Sequence, residues 1–184
     1  ALYAGGAFTN ADYNGVNYVA QWSSNSWAPL STGTDAPVSA LEVYDDGFGA
    51  QLYAAGRFSR AGFFYNANRL ARWDGLNWFP LNSGVPESEV SDLVVYNDGN
   101  GSQLVAACND DSVYYNRYGR LRTWNGASWQ DLGQIFYPGQ SYYSSLLCLA
   151  VYNEGGGPKL FAGGGFNKIA DQACYGIAVV EQGW

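Results

Sequence analysis

Leu52-Tyr53-Ala54-Ala55-Gly56-Arg57-Phe58 is the stretch on which the fold turns, because it recurs along the 184-residue chain. It stands earlier as Leu2-Tyr3-Ala4-Gly5-Gly6-Ala7-Phe8, and later as Leu104-Val105-Ala106-Ala107-Cys108 and Leu160-Phe161-Ala162-Gly163-Gly164-Gly165-Phe166. Two further markers keep step with it. Trp22 and Trp27 are followed by Trp73 and Trp78 and then by Trp124 and Trp129, each pair 51 residues after the last, so six of the seven tryptophans belong to the repeat. Leu41-Glu42-Val43-Tyr44-Asp45-Asp46-Gly47 likewise returns as Leu93-Val94-Val95-Tyr96-Asn97-Asp98-Gly99 and as Leu149-Ala150-Val151-Tyr152-Asn153-Glu154-Gly155. A fixed period of this kind decides architecture more firmly than local propensity.

Within one period, four short runs of β-branched, aromatic or alternating residues are separated by turn residues, the pattern of strands rather than helices. In the most complete unit they are residues 38–44, 51–58, 69–73 and 78–81. Asp45-Asp46-Gly47-Phe48-Gly49 supplies residues that tolerate positive φ for the first hairpin, and Asp74-Gly75 and Asn125-Gly126 do so for the last. Four-stranded antiparallel units of about 50 residues repeated in series predict an all-β chain, a β-propeller. About three and a half blades are present: a partial blade at 1–34, whole blades at 35–84 and 85–133, and a partial blade at 134–184, all in one segment. The chain opens at the second strand of a unit, carries no Met and ends after the third strand at Glu181-Gln182-Gly183-Trp184. The expectation is therefore a fragment with further blades beyond it, or an arc that other copies complete by self-association.

The run from Leu52 to Phe58, followed by Asn68-Arg69-Leu70-Ala71-Arg72-Trp73-Asp74-Gly75 and Trp78-Phe79-Pro80-Leu81, resembles the propeller repeat of large bacterial secreted or surface proteins. It is loosely similar to kelch repeats. The resemblance covers nearly the whole chain and implies a fold more than an activity. Two places depart from the repeat: Cys108-Asn109-Asp110-Asp111 stands where glycines are expected, and Val180 stands where Trp73 aligns.

Composition narrows the function. A formal charge of -7 repels nucleic-acid backbones and acidic membranes alike. The absence of His removes His-dependent triads and His metal ligands. There is no C-x-x-C pair, phosphate loop or nucleophile elbow, and no apolar run of membrane-spanning length, so neither a cofactor nor membrane insertion is expected. Residues 1–8 lack the pattern of a signal peptide. Low lysine content, abundant Tyr and Asn, and the repeat resemblance point to a secreted or cell-surface location.

In a propeller meander, the connections between strands two and three and between strands four and one share one end of the sheets. The long variable loops fall there, at residues 9–17, 59–68, 109–118 and 135–144. They offer Tyr13, Phe64, Tyr65, Asp110, Asp111, Tyr114, Tyr115, Arg117, Tyr142 and Tyr143 as ligand-binding residues, with Phe63 beside them. Aromatic faces among Asn, Asp and Arg stack on sugar rings or anchor a protein partner. The same aromatics also suit packing between blades. The repeated tryptophans read as scaffold, and the acidic turns as hairpins rather than calcium loops, because Asn97 and Asn153 replace Asp45 without disturbing the turn. Cys148 and Cys174 are a plausible disulfide, with Cys108 and Cys148 as the competing pair. The predicted function is a non-catalytic extracellular binding or assembly module. A carbohydrate-binding propeller is the alternative, and further behind stands a glycan-active enzyme pairing Asp110 or Asp111 with Glu87 or Glu89.

Overall fold

The computed structural model describes residues 1–111, 118–136, 145–169 and 172–180. Among these every regular element is a β-strand and every strand pairing is antiparallel. No helix among them is long and apolar enough to cross a membrane. The chain forms two compact units, Ala1–Pro86 and Glu87–Trp184.

In the first unit, β1 (Leu2–Gly5), the small hairpin β2 (Asn10–Ala11) and β3 (Asn14–Gly15), β4 (Val19–Ser23) and β5 (Ser26–Pro29) come first. They make a sheet of order β1-β4-β5 with the hairpin beside it. Next, β6 (Val38–Asp45), β7 (Ala50–Gly56), β8 (Leu70–Trp73) and β9 (Trp78–Pro80) form a four-stranded meander in chain order. These strands match the sequence reading to within two residues at each end. Tyr53, Ala54 and Ala55 on β7 are fully buried, so both faces of this strand are covered. That explains its unbroken apolar character in place of the alternation of a half-exposed strand. Val19 and Leu30 pack with Leu52, Ala54, Ala71, Trp73 and Trp78 into one core.

The tryptophans brace the outer hairpins. Trp73 and Trp78 face each other across β8 and β9 with ring centroids 5.3 Å apart, and Trp22 and Trp27 repeat that separation across β4 and β5. Trp78 also donates its indole N–H to the carbonyl of Leu30 at 3.0 Å, tying the second sheet to the chain leaving the first. The acidic turns spend their oxygens locally. Asp45 Oδ1 accepts from the amides of Gly47 and Gly49, both at 2.9 Å, and Asp74 Oδ1 accepts from Leu76 and Asn77 at 2.8 and 2.7 Å. Carboxylates bonded this way close hairpins, and Asn97 and Asn153 make the corresponding bond to Gly99 and Gly155.

The second unit holds β10 (Glu89–Asn97), β11 (Ser102–Asp110), β12 (Tyr118–Trp124), β13 (Trp129–Phe136), β14 (Ser145–Asn153), β15 (Pro158–Gly165), β16 (Lys168–Ile169), β17 (Gln172–Ala173) and β18 (Ile177–Val180). Strands β10 to β13 form a meander that the β16–β17 hairpin extends, and β14-β15-β18 form a second sheet. Trp124 and Trp129 again stand 5.3 Å apart. Val105, Ala107 and Leu121 pack against Leu146, Leu160, Ala162 and Val180, joining the two sheets. Polar bonds reinforce that junction: the Asn109 amide both donates to and accepts from the Leu146 backbone at 2.8 Å, and Asp92 Oδ2 accepts from Leu149 N–H at 2.7 Å. A register shift recurs at one place in the repeat, between Val38 and Ala40, Val90 and Asp92, and Leu146 and Cys148.

Three details refine the sequence reading. The loops at 9–17 and 59–68 contain ordered hairpins, β2–β3 and a two-residue turn in which Ala61 and Phe64 exchange backbone bonds at 3.1 Å. Val180 does take the place of Trp73, since it pairs with Leu160 as Trp73 pairs with Leu52. The Cys148–Cys174 disulfide is not formed: Cys148 is a free, exposed thiol. Cys148 lies on β14 opposite Gly163 of β15, whereas Cys174 comes three residues before Ile177, the residue opposite Gly163 on β18. Two strand spacings, roughly 10 Å, already exceed the Cα separation of about 7 Å that a disulfide bridges.

Replacing Trp78, which is 1% exposed, with Ala is expected to cost about 3–5 kcal/mol through the cavity and the orphaned Leu30 carbonyl. Urea unfolding followed by circular dichroism measures this, and a loss under about 1 kcal/mol would remove Trp78 from the scaffold.

Candidate functional site

Two hairpins at equivalent places in successive repeats present aromatic rings to solvent. In the first, Asp12 and Tyr13 form the two-residue tip between β2 and β3, with φ of 46° and 64°. Asp tolerates that left-handed conformation through its short polar side chain, but a tyrosine there carries a strain of roughly 1–2 kcal/mol. Tyr13 is nonetheless fully exposed. In the second hairpin Gly62, at φ 58°, stands in the place of Asp12, and Phe63 occupies the position of Tyr13 with 73% of its surface exposed. Tyr65 follows at 77% exposure with the Arg60 guanidinium 5.5 Å from its ring centre. Phe64 behaves differently, since it rests on Phe79 at 5.7 Å and so belongs partly to the scaffold.

The hairpin in the first unit's second repeat is fastened to the segment following β5. Thr34 bridges Ala61, Gly62 N–H donates to the carbonyl of Gly33 at 2.8 Å, and Asp35 Oδ1 accepts from the amides of Ser59 and Arg60 at 2.8 and 2.9 Å. The exposed rings therefore stand on a braced turn. Tyr114, Tyr115, Arg117, Tyr142 and Tyr143, named from sequence as their counterparts, lie outside the described residues.

A second cluster went unrecognised in sequence. On β12, Tyr118, Arg120 and Arg122 share one face, since residues two apart on a strand do. Arg122 grips Glu87 through a fork, with Nε at 3.0 and 2.9 Å from the two carboxylate oxygens and Nη2 at 2.6 Å from Oε1. Arg120 pairs with Asp131, and its Nε lies 3.6 Å from Glu87 Oε1. Tyr118 donates to Asp110 Oδ2 at 3.1 Å while Arg120 lies over its ring. Glu87 is only 3% exposed. Burial pulls the Arg122 guanidinium down, but the Glu87 bonds and charge outweigh it and hold the group above its ordinary value. Burial, and then the Glu87 charge, push the Cys108 thiol well above the ordinary range. The signal in sequence was positional: Arg122 stands where the other repeats have Ala20, Ala71 and Ala178.

These contacts bear on the carboxylates singled out from sequence. Glu87 is fully engaged by Arg122, Asp110 accepts the Tyr118 hydroxyl proton, and the Asp111 amide donates to Ser88 Oγ at 2.9 Å. Among the described residues no group of three or more His, Cys, Asp or Glu side chains is placed to hold a metal ion. Comparison with protein-family models, with curated proteins and with solved structures finds no match to this chain.

Glu87→Ala should destabilise the protein by about 2–3 kcal/mol, below the full penalty for breaking a buried pair because Arg122, left uncompensated, is only partly buried. Restoring the repeat's alanine in the double variant Glu87→Ala/Arg122→Ala should recover much of that loss, and additive losses in thermal unfolding would refute the coupling. Iodoacetamide is expected to label Cys148 in the native protein and Cys108 only after unfolding, as peptide mass mapping reads out; early labelling of Cys108 would contradict its burial.

Proposed function

We propose that the chain is a stretch of β-propeller serving as a non-catalytic, extracellular binding module whose ligand, a protein or a glycan, seats on the aromatic hairpin tips. The carrying observation is that Tyr13 and Phe63 occupy the same tip position in successive repeats and both point into solvent, Tyr13 with a strained backbone. Local strain at an exposed aromatic is worth keeping only where the ring has a task that glycine or asparagine cannot perform. The propeller reading is supported by the roughly 50-residue period and by the packing, within each unit, of one antiparallel sheet on the sheet of the next repeat. Low lysine content and the abundance of Tyr and Asn favour a secreted or surface location. The acidic charge speaks against nucleic-acid partners.

Tyr13→Gly relieves the left-handed strain and should raise stability by about 1 kcal/mol, while Tyr13→Gly/Phe63→Ala should abolish capture on glycan arrays or on arrays of extracellular protein domains. Which array responds assigns the ligand class. Silence of the unaltered protein on both, or undiminished capture by the double variant, would overturn this function.

A further inference from the structure

Within each unit, one sheet meets the next in the same sense. Cross-strand partners and residues two apart on a strand share a face of the sheet, so the register assigns every residue to one face or the other. In the second unit Val105, Ala107 and Leu121 share a face of the β10–β13 meander, its leading face, and pack on Leu160, Ala162 and Val180, the trailing face of β14-β15-β18. In the first unit Tyr3 and Val19, on the leading face of β1-β4-β5, pack with Leu52, Ala54, Ala71 and Trp73 on the trailing face of the β6–β9 meander. The repeat therefore uses one contact twice, a leading face seated on the trailing face of the following sheet.

One face of each kind is left open. The leading face of β14-β15-β18 carries Cys148 and Ala150 on β14, Phe161 on β15, and Ile177 and Val179 on β18. None of these is charged, and Lys159 at the rim pairs with Glu154 at 3.9 Å. Ile177 is 70% exposed, whereas Val19 and Leu121, which hold its position in the repeat, are buried. The trailing face of β1-β4-β5 carries Leu2, Ala4, Trp22 and Trp27. Leu2 is 60% exposed, whereas Leu52 and Leu160 at its position are buried. Trp22 and Trp27 are only partly covered, where Trp73 and Trp78 are buried. Contiguous apolar surface on a sheet face marks a place where another protein surface docks.

We propose that a second copy of this chain covers these faces, the leading face of β14-β15-β18 in one copy seating on the trailing face of β1-β4-β5 in the other. The chain holds both halves of a contact that it already makes inside each unit, so each copy offers what the other lacks. Because the two faces differ, the association is head to tail: two copies satisfy both contacts at once, or a series of copies satisfies them in turn. Neither open face presents an unpaired charge to steer an ionic partner. The charge of -7 on each copy opposes the association, so salt that screens it should strengthen the contact. The contact is separate from the hairpin tips and stands whether or not they bind a ligand.

Sedimentation velocity of the full chain over a range of protein concentration tests it. The expected mass is twice the 20.0 kDa of one chain or a higher multiple, falling to 20.0 kDa on dilution, with tighter association as salt is added. Ile177→Lys blocks the leading face and Leu2→Lys the trailing face. Both residues are more than half exposed, so each variant should keep the circular dichroism and Tm of the dissociated chain. Ala150→Lys and Ala4→Lys, on the same two faces, serve as the second pair should either change disturb folding. Each variant alone should remain at 20.0 kDa where the unaltered chain associates. Mixed in equal amounts, a leading-face and a trailing-face variant should form a pair and grow no further, since one intact face of each kind remains. A symmetric contact between like faces would instead leave one variant associated by itself and give no pair on mixing. Cys148 lies within the contact, so its labelling by iodoacetamide should slow several-fold as the copies associate. A mass of one chain up to about 1 mM protein, association of either variant alone, failure of the folded variants to pair, or Cys148 labelling indifferent to concentration would overturn the proposal.

Discussion

The two four-stranded meanders of this protein answer to one constraint, the burial of their second strand on both faces. Tyr53, Ala54 and Ala55 on β7, and Val105, Ala106 and Ala107 on β11, are all excluded from solvent. A strand covered on both sides cannot alternate polar with apolar residues, and it must be lined with small side chains if two sheets are to approach it. Hence the Ala-Ala or Gly-Gly step in the repeat, with a larger residue before it to fill the space between layers. Burying such a strand requires a neighbouring sheet, which is why Leu160 and Ala162 find Val105 and Ala107 across the second unit.

The outer strands are held by other means. Strands β8 and β9 are short and would fray in isolation. The facing Trp73 and Trp78 contribute a large apolar area at the end of the hairpin, and Asp74 ties the turn from the inside. The same arrangement at Trp124 and Trp129, with Asn125 accepting from Ala127 and Ser128, shows that the carboxylate charge is dispensable. What matters is an acceptor at that position.

The all-β character and the antiparallel order of the strands were legible because burial on both faces and turn chemistry each leave marks at a fixed period. Less legible were features that depend on distance through space. The hairpin at Asp12 and Tyr13 has no glycine at its tip to announce it, and its strands are two residues long. The Cys148–Cys174 pairing was judged from which end of the sheet each residue occupies, and the two intervening strand spacings decide against it. For the site, Tyr13 and Tyr65 were visible as aromatics in loops. Phe63 was left out in favour of Phe64, although the turn points Phe63 outward and rests Phe64 on Phe79. The Glu87–Arg122 fork could have been found by asking why one repeat has arginine where three have alanine.

Arginines at matching repeat positions meet opposite fates, and the backbone accounts for it. Tyr18 and Arg69 both sit at positive φ, 65° and 80°, just before their strands settle into regular pairing. That bend turns Arg69 toward the Phe58 carbonyl and Ser59 hydroxyl. In the following repeat β12 begins earlier, at Tyr118, so Arg120 lies within the strand, opposite Cys108. Its side chain then falls along the sheet face with Arg122, among Glu87 and Asp131. Starting one strand three residues earlier thus moves an arginine from the bend before the strand into a closed ion network. The scaffold tolerates both because neither arginine contributes to the apolar layers between sheets. Positions of this kind are where a repeat can diversify its chemistry without altering the burial that holds it together.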